Sequence, residues 1–157
     1  MSTPFYNRVQ KLRKQYPQSR SAVLPALRLA QEEHGGWLPS EALREVADAL
    51  DETPAYVVSI ASFYDMLNLE PVGRHLVEVC TNLSCALAGA QSVLDGFTGE
   101  LGVRPGGTTE DGVVTLRAIE CAGGCGHAPV VIVDGAYREP VQAKDVSAIV
   151  EELRAFD

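Results

Sequence analysis

The chain holds four cysteines in two close pairs, Cys80 with Cys85 and Cys121 with Cys125, and none elsewhere. If the thiols act together, the fold must bring two short loops, distant in sequence, to one place. A 2Fe-2S cluster asks for four thiolates held in two pairs, one pair on each iron, and this arrangement has that form. Zinc also takes four cysteines, but its knuckles favour Cys-x2-Cys, and the wider spacings here suit it less. Structural disulfides need an oxidising compartment. The opening Met-Ser-Thr-Pro-Phe-Tyr-Asn-Arg carries no apolar signal region, so a reduced, cytosolic setting is expected. Four unrelated core thiols would leave the glycines around the second pair unexplained.

The second pair lies in Cys121-Ala122-Gly123-Gly124-Cys125-Gly126. Glycines beside ligands let the backbone wrap closely and aim N–H groups at sulfur. Such donors matter because two ferric ions, two sulfides and four thiolates sum to minus two, and one-electron reduction makes that minus three. Neither Lys nor Arg lies between Cys80 and Arg104. The expectation is a low reduction potential, about −400 mV or somewhat above.

Three stretches carry a family resemblance: Val79-Cys80-Thr81-Asn82-Leu83-Ser84-Cys85 with Ala86 to Ala90, Thr109-Glu110-Asp111-Gly112, and Glu120-Cys121-Ala122-Gly123-Gly124-Cys125 with Ala128-Pro129-Val130-Val131. Together they resemble the thioredoxin-like 2Fe-2S subunit of respiratory complex I, the NADH:quinone oxidoreductase. Upstream, Ser21 to Leu27, Ala30 to Gly35 and Ala61-Ser62-Phe63-Tyr64 resemble that family's helical portion. Ala122 stands where the family usually has leucine, and Gly126 and His127 replace a more polar pair.

The resemblance implies an α+β chain with an N-terminal helical bundle over 1–73 and a thioredoxin-like 2Fe-2S domain over 74–157. It implies one cluster on Cys80, Cys85, Cys121 and Cys125, in an electron-transfer subunit with no substrate site of its own. FMN and NAD would sit only on a partner, the NADH- and flavin-binding subunit, with other peripheral-arm subunits nearby. The setting would be the cytoplasm or the cytoplasmic face of the inner membrane, without direct membrane contact. The corresponding subunit of a soluble NAD-dependent formate dehydrogenase or hydrogenase is the alternative parent, although the Thr81 to Ser84 insert resembles the respiratory form more closely. A zinc-stabilised interaction module is the alternative from another class.

Other features narrow the function. Gly-x-Gly-x-x-Gly is absent, which removes the dinucleotide fingerprint, and Cys-x2-Cys is absent, which removes the usual disulfide-exchange pair. Residues 1–75 carry 8 basic and 9 acidic side chains, whereas residues 76–157 carry 5 and 12. The cluster half is therefore the acidic half, which argues against nucleic acid and fits either a cationic protein surface as partner or acidity that simply keeps the protein soluble. Basic Arg8, Lys11, Arg13 and Lys14 suit residues 1 to about 70 to a docking role on a larger subunit, the alternative being that these helices only shield the cluster domain. No apolar stretch approaches the roughly 20 residues of a membrane span.

Periodicity predicts a helix from Phe5 to Tyr16, ended by Pro17, and a second from about Ser21 to His34, with Pro25 in its first turn and Gly35-Gly36 as the stop. Ser40 is expected to cap a third helix through Leu50, and Thr53 a fourth with Pro54 at its first position. After Pro71 the pattern turns to β-α-β-β-α. Strand His75 to Val79 delivers Cys80, one helix runs from Ala86 to Leu101, and strand Val113 to Ile119 delivers Cys121. Val130 to Val133 and Tyr137 to Glu139 form a hairpin around Asp134-Gly135, and a last helix covers Ala143 to Phe156. His127 reads as a solvated loop histidine, His34 as a helix C-terminal residue, and Trp37, Phe63 and Tyr64 as core or interdomain packing.

Overall fold

The computed structural model describes residues 4–155, which divide between Pro71 and Val72 into two compact units. The first is helical: α1 (Pro4–Arg13), α2 (Val23–Glu33), α3 (Ser40–Leu50) and α4 (Pro54–Phe63), with a 3-10 turn at Ser19–Ala22 leading into α2. Each helix turns one apolar stripe inward. Val9, Leu27, Ala30, Val46, Leu50 and Val57 are completely buried in a common core.

The helix ends show which local signals were decisive. Thr53 caps α4 as expected, its hydroxyl accepting from the Tyr56 N–H at 3.3 Å, with Pro54 following at the first helical position. Ser40 is not a cap. Pro39 occupies that position and Ser40 is already helical, because the extended backbone of Pro39 (φ −62°, ψ 162°) starts the helix one residue earlier. Helix α1 stops at Arg13 rather than Tyr16, and Leu12 and Arg13 carbonyls accept from Gln15 and Tyr16 in tighter turns. His34 does end α2, its N–H donating to Ala30, and Gly35 and Gly36 then take positive φ. Phe63, at the end of α4, lies outside the helical core, 76% exposed and touching Tyr64 edge to face.

The second unit is a four-stranded sheet, β1 (His75–Cys80), β2 (Val114–Ile119), β3 (Val131–Val133) and β4 (Ala136–Arg138), in the order β2-β1-β3-β4. Strands β1 and β2 are parallel, while β3 runs antiparallel to both β1 and β4. The region between β1 and β2 is not one helix from Ala86. It forms α5 (Leu83–Leu87) and α6 (Ala90–Leu101), separated by Gly89 at φ +99°, a conformation that ends one helix and opens the next. One consequence is that Leu87, which a single helix from Ala86 would carry on its apolar face, is 81% exposed. Helix α7 (Val146–Ala155) closes the unit after a 3-10 turn at Ala143–Asp145, and Phe156 lies outside the described residues. Val77, Val79, Phe97, Leu116 and Val131 are fully buried among α6, α7 and the sheet.

The Asp134-Gly135 turn has the expected form, with φ of 51° and 80° at its two central residues. Asp134 also accepts from the Leu76 N–H at 2.8 Å and contacts His75 Nδ1 at 2.7 Å, which fastens the hairpin to the start of β1.

The approach to β2 is held by Asp111. Its carboxylate accepts from the Thr109 hydroxyl at 2.5 Å and from the Val113 N–H at 3.0 Å. The Thr109 hydroxyl, then the Val113 N–H, hold this carboxyl below the ordinary aspartate range. A folded-state pKa lowered in this way adds stability that is present above the unfolded value and is lost as pH falls through the folded one. Asp111→Asn is therefore expected to lower the melting temperature at neutral pH. The gap from the parent should close as pH falls below the ordinary aspartate value of about 3.9, which paired thermal melts across that range would read.

Candidate metal centre

The parallel register of β1 and β2 builds the site. Cys80 stands opposite Ile119, so both strands end at the same edge of the sheet and their following loops emerge side by side. Hydrogen bonds between backbone and side-chain groups join those loops. The Thr81 N–H and hydroxyl both donate to the Ile119 carbonyl, at 3.0 and 3.1 Å, and the Asn82 side-chain amide donates to the Glu120 carbonyl at 2.8 Å. Asn82 has a second task, its side-chain oxygen accepting from the Leu83 N–H at 2.8 Å as the cap of α5. That cap places Cys85 in α5, shortly beyond Cys80.

All four cysteines are free thiols. Cys80 and Cys85 are buried, while Cys121 and Cys125 are exposed. The loop of the second pair reaches the first through the Ala122 N–H, which donates to Cys80 Sγ at 3.4 Å, and the Gly123 N–H donates to Cys121 Sγ at 3.3 Å. Burial opposes ionisation of Cys80, but the N–H groups of Asn82 and Ala122 and the neighbouring Cys85 thiol outweigh it, so its pKa falls. Cys85 shifts the other way. Burial pushes it up, the Val130 N–H opposes that, and the nearby Cys80 and Cys125 sulfurs add to the rise. Cys85 thus senses both Cys80 and Cys125, and Cys121 is chained to Ala122, whose N–H contacts Cys80.

Among the described residues, no three or more His, Cys, Asp or Glu side chains gather closely enough to hold a single metal ion. A two-iron cluster makes a different demand, namely two protein thiolates on each iron with sulfides between. Four cysteines in two neighbouring loops, free of disulfides and with backbone N–H donors directed at two sulfurs, fit that group's chemistry.

The second loop is also packed from outside. Gly124 faces β4's end so closely that a Cβ there would meet the Glu139 carboxylate at 2.6 Å and Val130 Cγ2 at 3.0 Å. Tyr137 on β4 donates its hydroxyl to the Ala122 carbonyl at 2.5 Å. Sequence reasoning misses this residue, because a contact from a hairpin to a loop leaves no mark in local spacing. The Asn82 cap does leave a signal, an amide side chain just ahead of an apolar run. His127 lies outside the thiol group, 71% exposed, its Nδ1 3.8 Å from the Glu139 carboxylate. Among the described residues, no helix is long and apolar enough to cross a membrane.

Comparison with known proteins gives a consistent likeness. The family model described as "Thioredoxin-like [2Fe-2S] ferredoxin" matches residues 9–154. One of the NADH-quinone oxidoreductase subunits of Rhizobium meliloti is 42% identical, over 90% of this chain and 84% of that protein. "NADH-quinone oxidoreductase subunit 2" of Thermus thermophilus is 40% identical, over 87% of this chain and 75% of its own. Among solved structures, an NAD+-reducing [NiFe]-hydrogenase in the H2-reduced state superposes with a TM-score of 0.74 at 24% identity. That match covers 85% of this chain and only 22% of the hydrogenase chain, and it speaks to the fold alone.

Proposed function

This chain belongs to the thioredoxin-like [2Fe-2S] ferredoxin family, and from that premise we propose that it is the small iron–sulfur electron-transfer subunit of an NADH:quinone oxidoreductase. The observation that carries this reading is the pairing of two cysteine loops, with no thiol in a disulfide, at one end of the sheet, in a chain similar over most of its length to subunits of that enzyme. Cys80, Cys85, Cys121 and Cys125 would hold one 2Fe-2S cluster, which when bound supplies one-electron transfer.

The chain's own residues bind and tune. Ala122 and Gly123 offer N–H groups to Cys80 and Cys121, stabilising negative charge on sulfur. Asn82 and Thr81 keep the two loops together. The buried pair is withdrawn from water while the exposed pair forms the edge through which electrons would enter or leave.

The partner in this reading is a flavin subunit that binds NADH, with further peripheral-arm subunits in the same assembly. Residues 1–73 would be the docking element and 74–157 the cluster domain. The membrane relation would be peripheral, at the cytoplasmic face.

Iron, acid-labile sulfide and zinc analysis of protein purified anaerobically tests the cofactor, and NADH addition tests the role. About two irons and two sulfides per chain are expected. NADH should reduce the cluster only once the flavin subunit is supplied. Stoichiometric zinc without sulfide would favour the interaction module, and rapid reduction by NADH with no other protein present would contradict the assignment of flavin and NADH to a partner.

A further inference from the structure

We propose that Tyr137 tunes the cluster's reduction potential through a single peptide group, as a positioning residue for the N–H that meets Cys121; this rests on the cluster reading above. The Tyr137 hydroxyl donates to the Ala122 carbonyl oxygen at 2.5 Å. The N–H of that same peptide unit is Gly123's, and it donates to Cys121 Sγ at 3.3 Å. The two hydrogen bonds therefore sit at opposite ends of one conjugated dipole. Withdrawing electron density at the oxygen makes the N–H a stronger donor, and bonds in series of this kind reinforce one another by roughly 10–30%.

The surrounding geometry fixes that peptide plane. Gly123 has φ +79°, where an L side chain would be strained, so the turn that points its N–H at sulfur suits glycine. On the other side, Tyr137 is paired with Ile132 in the β3–β4 hairpin, and β3 is paired with β1, the strand that ends in Cys80. The phenol thus ties the second cysteine loop to the sheet that carries the first cysteine. Its ring is half exposed and contributes little as buried apolar surface, which leaves the hydroxyl contact as its principal tie to the site.

The sign of the effect follows from charge. Reduction adds one electron and no atoms, so negative charge on the thiolates grows and an N–H donor to sulfur favours the reduced form. Removing the phenol hydroxyl weakens that donor and lowers the midpoint potential. Strengthening the hydroxyl as a donor raises it.

The test is a dye-mediated redox titration of the full chain in three forms: parent, Tyr137→Phe, and protein with 3-fluorotyrosine at Tyr137, measured slightly below neutral pH with iron and sulfide assayed in each. At a fixed solution potential, the ratio of reduced to oxidised cluster is expected to fall about 1.3- to fourfold in Tyr137→Phe, the scale of a 10–30% weakening of one charge-assisted hydrogen bond. The fluorinated form, whose hydroxyl is the stronger donor, should shift the other way. Equal midpoints in all three forms, or shifts of the same sign in both variants, would overturn the relay. If Tyr137→Phe does not retain its cluster, the fluorinated form decides alone, an upward shift supporting the proposal and no shift or a downward one overturning it. A parent protein without iron and sulfide would instead refute the cluster reading itself.

Discussion

Replacing Cys80 with alanine is expected to abolish the visible chromophore and bring iron and sulfide from about two each per chain to near none, while the far-ultraviolet circular dichroism of the chain stays close to that of the parent. Three thiolates would remain for a group that needs four, and one iron would keep a single protein ligand. The loss would not be structural, because Cys80 contributes only one small buried side chain and the N–H groups of Asn82 and Ala122 that served its sulfur sit at the rim of the sheet. Alanine at Cys85, Cys121 or Cys125 should do the same. His127→Ala supplies the contrast, since that imidazole is solvent-facing and pairs with Glu139. A bleached His127→Ala protein, or a Cys80→Ala protein that keeps its iron and sulfide, would show that the ligand set has been misread.

The second large effect lies where the chain enters β1. Gly73 donates its N–H to the Thr115 hydroxyl at 2.6 Å, and a Cβ at this position would stand 2.9 Å from the Val113 carbonyl oxygen and 3.0 Å from the Thr115 nitrogen. Both obstacles are backbone, so no side chain can rotate away. Relief would require the entry to β1 to part from β2, against a register that begins at His75 opposite Val114. Gly73→Ala is expected to cost about 1–3 kcal/mol, with a fall in melting temperature of roughly 4–8 °C for each kcal/mol in a unit of this size. Gly99→Ala is the matched control. It lies within α6, nothing would meet its Cβ within 4 Å, and it should raise the melting temperature because alanine favours a helix over glycine. Equal melting temperatures for Gly73→Ala and the parent would refute the close approach.

The elements that could be read from sequence are those whose cause is local. Thr53-Pro54 carries its own cap and first-turn residue, and Asp134-Gly135 supplies two residues tolerant of positive φ, so both features lie where their chemistry puts them. The α5–α6 break is hidden because Ala86 to Ala90 continues the apolar run, and only the positive φ at Gly89 separates the helices. Ser40 stands one residue inside its helix rather than at the cap, since a serine next to proline has the same local signature whether or not the proline has taken that position. The candidate site divides along the same line. Its thiols are visible as spacing, whereas Asn82 on Glu120 and Tyr137 on Ala122 are bonds between segments that only the sheet brings together.

The parallel pairing of β1 and β2 also sets an order in time. Parallel strands cannot be joined by a tight hairpin, so a crossover containing α6 must be made before Ile119 can stand opposite Cys80. On a ribosome, Cys80 and Cys85 emerge first and wait, and no local contact can give them the other half of their site. The two halves meet only when the long-range pair closes, a step limited by loop closure rather than by local structure. In the proposed reading, a chain arrested before β2 presents two of its four candidate ligands, with nothing to share them.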